Sequence, residues 1–420
     1  MAVWDHSIFA LAMVLLLTAS PGQAADVETH GFLLLNYSGR MTDDRPAQSD
    51  SDFLLGEERL RLDVSVWADE IEASARFKGD LFHDSVDDET ELDMREAYVD
   101  YATDKVDLRL GRQIATWGVG DLLFINDVFP KNWVSFFSGR PLEYLKIGVD
   151  GARLRFSGEM INADVILIPF FTPDTLPTPA RFFLYDPLAP VTTRSETKPA
   201  STYDNSELAL RLYRRARDFD VAAYLYKGFW RSPGMRPDDF TAPTQIELFY
   251  PELYVYGASA QGNAFGGVLS LEVGYYDSRD DRDGNDPTIA NSQSRFLIGY
   301  QRQLKQDLTL GLQYYTEIMR DYDQYKQTLP AGFAVQRRSR DTVTLRLEQL
   351  LRHQTLRLSL FTFYSPADDD YLIQPKMSYQ FSDELSATLG ANFFGGNKKT
   401  TFLGQFDKND NIYLSVRFDF

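Results

Sequence analysis

From residue 25 onward the dominant pattern in the chain is an alternation of apolar and polar side chains with a period of two. Leu60, Leu62, Val64 and Val66 interleave with Arg61, Asp63 and Ser65. Ile71, Ala73, Ala75 and Phe77 interleave with Glu72, Ser74, Arg76 and Lys78. The pattern returns at Ala152/Leu154/Phe156, at Leu269/Leu271/Val273/Tyr275 and at Val343/Leu345/Leu347. A strand turns successive side chains to opposite faces, so each segment has one apolar face and one charged face. About eighteen such segments occur, at roughly 30–40, 53–67, 71–80, 92–102, 106–117, 146–157, 160–170, 206–216 and 219–231. The remainder lie at roughly 253–263, 267–276, 294–304, 308–318, 341–351, 355–364, 371–381, 385–394 and 410–420. No helical segment of any length is expected between them.

The connections alternate in length. Tight turns occur at 68–70, 103–105, 217–218, 305–307, 352–354 and 382–384, and longer stretches at 41–52, 81–91, 118–145, 171–205, 232–252, 277–293 and 319–340. Short turns on one rim and long loops on the other are the wiring of a transmembrane up-and-down antiparallel β-barrel, here of about 18 strands (16–18). A secreted sandwich or solenoid shares the alternation but turns its apolar faces inward. Tyr37, Tyr101, Tyr275, Tyr300 and Tyr314 lie near strand ends, where interfacial girdles form. The last strand carries Ile412, Leu414, Val416, Phe418 and Phe420 on one face and ends on an aromatic residue. It resembles the C-terminal signal read by the barrel assembly machinery.

Composition fits this reading. The chain has no cysteine, which removes disulfides and cysteine-based metal or redox chemistry. A mean hydropathy of −0.32 excludes a polytopic helical membrane protein, but half-apolar strands are compatible with it. The net charge of −18 argues against nucleic acid as a partner. Most of that excess sits in the long connections, where divalent cations could bridge it to lipopolysaccharide. Ile8 to Leu17 is an apolar run of signal-peptide length, followed by Pro21 and Gly22. Residues 1–24 therefore read as an export signal and 25–420 as the barrel.

With apolar faces on lipid, the alternate residues line the lumen. Arg59, Arg61, Arg76, Lys78, Arg109, Arg153, Arg155 and Arg211 are the basic candidates of the first half, with Arg346, Arg357 and Arg417 in the second. Asp63, Glu96, Glu272 and Glu348 are acidic counterparts. In lipid each Arg or Lys would cost about 2–4 kcal/mol at the midplane. Segment 118–145 is the candidate to fold inward. It follows Trp117 and carries Phe124, Asp127, Phe129, Lys131 and Trp133. The prolines of 171–205 are expected to prevent strand pairing and to make a stiff cover.

Little else suggests chemistry. His83-Asp84-Ser85 is an H-x-S spacing without an evident third member, so no enzyme is expected. The Asp-rich run 280–286 fails the EF-hand register, because position one is Arg279 and position twelve Ala290. No metal or cofactor is implied.

Several stretches resemble a largely uncharacterised family of porin-like outer-membrane proteins of Gram-negative bacteria. They are Arg95-Glu-Ala-Tyr-Val-Asp-Tyr101, Leu110-Gly-Arg-Gln-Ile114 with Trp117-Gly118, Asn126-Asp-Val-Phe-Pro130, Tyr364-Ser-Pro366 and Phe394-Gly-Gly396. The resemblance implies an outer-membrane barrel in the size class of exopolysaccharide-export porins, with no defined substrate. Three functions follow as expectations: a passive channel for a polar solute or polymer, an export porin of an envelope-spanning machine, or a sheath for a periplasmic partner.

Overall fold

The computed structural model describes residues 26–46, 48, 49, 51–68 and 72–420. The expected signal 1–24 lies outside the described residues. Eighteen strands form one sheet. They begin with β1 (Asp26–Arg40), β2 (Phe53–Ala68), β3 (Ala73–Asp84), β4 (Glu89–Ala102), β5 (Val106–Gln113) and β6 (Val149–Ser157). Next are β7 (Asn162–Ile168), β8 (Glu207–Ala216), β9 (Phe219–Phe229), β10 (Glu252–Ala264), β11 (Gly267–Ser278) and β12 (Gln293–Lys305). β13 (Leu308–Met319), β14 (Ser339–Leu351), β15 (Leu356–Ser365), β16 (Asp370–Gln380), β17 (Leu385–Gly396) and β18 (Asn411–Asp419) complete it.

Each strand pairs antiparallel with its sequence neighbours, and β1 pairs with both β2 and β18. The sheet is therefore closed and has no free edge, which satisfies every strand without water. Side-chain facing follows the alternation. Leu33 and Leu35 of β1, Leu60 and Leu62 of β2, Ile298 of β12 and Leu414 of β18 are exposed outside. Their neighbours Leu34, Arg59, Arg61, Leu297 and Ser415 are buried inside. An apolar surface circling the molecule far exceeds the few hundred Å² patches that soluble monomers tolerate. It is the lipid face, and the chain is an integral outer-membrane barrel. Tyr37, Tyr101, Tyr275 and Tyr314 stand exposed on it, while Tyr300 is half-buried and donates to the Phe265 carbonyl at 2.8 Å. Ile412, Leu414, Phe418 and Phe420 also face outward.

Four details differ from the expectation. The segment 81–91 is no long loop: β3 and β4 run on, and a tight hairpin at 85–88 joins them. The ladder is continued there by Ser85, whose backbone N–H donates to the Gly56 carbonyl at 2.8 Å. β5 ends at Gln113, so Trp117 belongs to the following connection. Among the described residues two short α-helices occur, α1 (Trp133–Ser138) and α2 (Tyr322–Thr328). At 6 and 7 residues they are too short to show a helical period in sequence. Finally, the proline-rich stretch does pair. Arg194–Thr197 lies parallel to Ile246–Phe249, which lies antiparallel to Gly234–Pro237. The four residues of Arg194–Thr197 fit between Pro190 and Pro199. In this outer sheet the chain reverses at Asp238. Its carboxylate is lowered to about 2 by the Thr244 hydroxyl and by the backbone N–H groups of Thr244 and Gln245.

Candidate functional site

Segment 114–148, between β5 and β6, turns into the lumen. Its path is set by local backbone chemistry. Gly118 has φ +82°, and a Cβ there would sit 2.7 Å from Glu272 Oε1. α1 starts at Asn132, whose side chain accepts from Ser135 N at 2.9 Å. It stops at Gly139 in the left-handed region, φ +83°, where a Cβ would strike the Tyr413 ring. Both glycines combine positive φ with a close approach, which no other residue tolerates well.

Three apolar contacts seat the segment. Trp117, Ile125, Val128 and Phe129 pack on Ile166, Ala209, Tyr224, Val255 and Leu297 of the wall. Phe136, Phe137 and Leu145 pack on Phe361, Phe363, Leu372 and Phe394. Tyr144 packs on Phe32 and Leu34. These lumen-facing wall residues are apolar or aromatic, whereas polar residues were expected throughout. They face inward because the segment, not water, covers them.

Polar anchors complete the seat. On β11, Glu272 is buried and accepts from the backbone N–H of Val119, Gly120 and Asn126 at 3.0, 3.1 and 2.8 Å. The Asn126 side chain donates to it at 2.9 Å. On β2, Glu57 accepts from Arg140 at 3.0 Å, and Arg61 donates to Glu143 at 3.1 Å and to the Tyr144 hydroxyl at 3.0 Å. Eight strands lie between β2 and β11 in either direction around the eighteen, so the segment spans the barrel from wall to opposite wall. Between these ends, Arg346 of β14 pairs with Asp121 at 2.8 Å, and Trp117 Nε1 donates to Asp164 at 3.2 Å. β18 and β17 contribute Asn411 and Asn392, which donate to the Phe137 carbonyl at 3.1 and 3.2 Å.

One anchor was invisible in the sequence as such. In the β3–β4 ladder Lys78 opposes Glu96 but Gly79 opposes Met94, leaving Arg95 as an extra residue. This bulge turns Arg95 inward beside Glu96. Arg95 then donates to the carbonyls of Glu143 and Lys146 at 2.8 Å each. Only the strict alternation failing at Arg95-Glu96 hints at it.

The remaining candidate lumen charges form a paired belt. Asp63 meets Arg76 at 2.7 Å and Lys78 at 3.5 Å, and Lys78 meets Glu96 at 3.6 Å. Arg109 pairs with Asp100 at 2.7 Å, Arg155 with Asp107 at 3.5 Å and Arg153 with Asp164 at 2.6 Å. Arg417 reaches Asp419 at 2.6 Å and Glu143 at 3.2 Å. Arg59 joins Glu57 and Asp80 at 3.0 and 3.3 Å. Arg211 instead lies over the Tyr213 ring at 4.5 Å. Glu348 and Arg357 form no ion pair among the described residues.

Within the segment, Asp127 pairs with Lys131 at 3.5 Å and with Lys146. Both ammonium groups lie over the Phe124 ring, at 4.4 and 4.6 Å. Trp133 stacks on Phe137 and donates to Asp174 at 2.9 Å. His83 and Ser85, the spacing noted above, do not meet: His83 contacts Thr90 at 3.2 Å, and Ser85 donates to the Gly56 carbonyl.

The barrel is similar in fold to solved structures. OccK11 (OpdR) of Pseudomonas aeruginosa aligns over 94% of this chain and 96% of its own, with a TM-score of 0.53 and 12% identity. OccAB3 of Acinetobacter baumannii aligns over 94% and 99%, with a TM-score of 0.55 and 11% identity. No family model matches the sequence, and no curated protein does. At these identities the likeness is one of fold, and it agrees with the porin-like barrel that the sequence resemblance implied.

Proposed function

We propose that the protein is a passive outer-membrane channel whose passage is set by segment 114–148. The observation that carries this reading is the wall-to-wall span from Glu57 and Arg61 to Glu272 inside a closed eighteen-stranded barrel. Barrels of this strand number enclose room for an aqueous path. A segment fixed across that path governs what gets through. The paired belt on β2 to β7 supports a wet, polar wall with little net charge, so size and shape decide entry more than sign. Arg211 and Arg357, which lack a carboxylate partner among the described residues, are the positions at which a mild anion preference would arise. The same span argues against a barrel that sheathes a folded periplasmic protein, since the segment occupies the cross-section. Lipopolysaccharide contacts by the acidic loops, and use of the Phe420 end by the assembly machinery, are further parts of the proposal.

The test is planar-bilayer conductance of the purified barrel, with and without residues 120–143. The intact protein should give small, discrete steps. Removing the segment should enlarge them several-fold while the barrel stays folded. Absence of steps in both proteins would overturn the reading.

A further inference from the structure

On the long-connection side of segment 114–148 lies a cavity of about 520 Å³. That volume is typical of small-molecule pockets, which run from ~300 to ~1,000 Å³. Phe124, Trp133 and Phe137 enter it from the segment, Phe363 from β15, and Phe402 and Phe406 from the connection 397–410. Their rings are arranged as partners of further rings. Trp133 stacks on Phe137 at 6.2 Å and meets Phe402 edge-on at 6.5 Å, and Phe137 lies 4.4 Å from Phe406.

Charged groups also line the cavity, but they are engaged with one another or with the backbone. Glu317 meets Arg295 at 3.2 Å and Arg340 at 3.7 Å, and Arg340 meets Asp368 at 3.4 Å. Lys131 donates to the carbonyls of Asp127 and Phe129 at 2.7 and 2.8 Å. Asp370 accepts from Leu403 and Gly404 N–H at 2.9 and 3.2 Å. An incoming anion would thus lose its water without gaining a free cation. A sugar can lay its C–H face on these rings, but its hydroxyls would have to compete for charged groups that are already paired. A molecule with rings of its own meets offset and edge-on contacts.

We infer that this cavity binds a compact, uncharged, ring-bearing organic molecule, as an entry site for passage through the barrel. The inference rests on the channel reading for the passage and on the cavity for the binding.

The experiment uses the full barrel in lipid nanodiscs and the probes 2-naphthol, 2-naphthalenesulfonate and glucose. Trp133 and Trp230 line the cavity and report occupancy by fluorescence quenching. Naphthol should quench saturably, the sulfonate at least tenfold more weakly, and glucose not at all. Phe402 is 47% exposed on a loop, so Phe402→Asp leaves the fold in place. It should weaken naphthol at least tenfold, whereas partition into lipid would be unsaturable and indifferent to it. Unsaturable quenching, equal affinity in Phe402→Asp, or equal affinity for the sulfonate overturns the inference. Conductance separates the two readings. Channel steps without saturable naphthol binding sink the site and spare the channel. Saturable, Phe402-dependent binding in a barrel that never conducts, even without 120–143, keeps the site and sinks the channel.

Discussion

The two ends of segment 114–148 meet opposite walls by different means. At β11 one buried carboxylate, Glu272, gathers three backbone N–H groups and the Asn126 amide, and no cation among the described residues pairs with it. At β2 and β3 the carboxylates of Glu57 and Asp80 are shared among the guanidinium groups of Arg59, Arg61 and Arg140. The first end is a fit of backbone shape to a single charge. The second is a web of full charges that must all be present, since desolvating them is repaid only when each is matched. One end is specified by where the chain turns, the other by which side chains it carries.

The largest effect should come from breaking the web. Glu57→Ala strands Arg140 in a buried site and leaves Arg59 with Asp80 alone, and breaking such a pair costs about 3–5 kcal/mol. Thermal or urea unfolding of the purified barrel measures it. A loss below about 1 kcal/mol would show that water reaches this end and that the web is not buried.

Glu272→Ala should come next. It leaves the Asn126 and Gly120 N–H groups without their acceptor, and hydrogen bonds to a charged group contribute about 1.5–3 kcal/mol. The barrel should stay folded while the segment loosens at β11 only, seen as larger, noisier conductance steps. Unchanged steps would mean that the apolar packing of Trp117 and Phe129 alone holds that end.

The smallest effect belongs to the exposed middle. Asp121 and Arg346 are 44% and 27% exposed, so Arg346→Ala should cost about 0.2–1 kcal/mol. Its conductance difference should vanish in 1 M salt, where screening acts within about 3 Å. The Glu272→Ala difference should survive the same salt. If both vanish, the β11 end is an electrostatic contact like the others.

This contrast also explains what could be read from the sequence. All eighteen strands were legible, because lipid outside and charge inside impose a period of two that few other environments would maintain. The same alternation put Arg59, Arg61, Arg76 and Lys78 on the inner face, but Glu57, Asp80 and Glu143, the partners of Arg59 and Arg61, were not among the expected lumen charges. Inward folding of 118–145 was legible from its aromatic content. What the segment touches was not. The Glu272 seat depends on the turn at Gly118, which leaves no periodic trace, and Arg95 depends on a bulge whose one trace is the break in alternation at Arg95-Glu96. The hairpin at 85–88 was missed because its polar residues resemble a loop, although they continue two paired strands above the lipid. The strand Arg194–Thr197 was missed because flanking prolines bar pairing only at their own positions.

Asn411 ties together three parts of the molecule made at very different times. Its side chain accepts from Ser38 of β1 at 3.1 Å and from Asn392 of β17 at 2.9 Å, and donates to the Phe137 carbonyl. The contact with Ser38 joins residues 373 positions apart, and that with Phe137 joins residues 274 apart. Loop closure over such spans is slow. The last strand therefore fastens the seam and the Phe137 part of the crossing segment together, so a chain still waiting for Asn411 to Phe420 has neither a closed wall nor that part of the segment tied down.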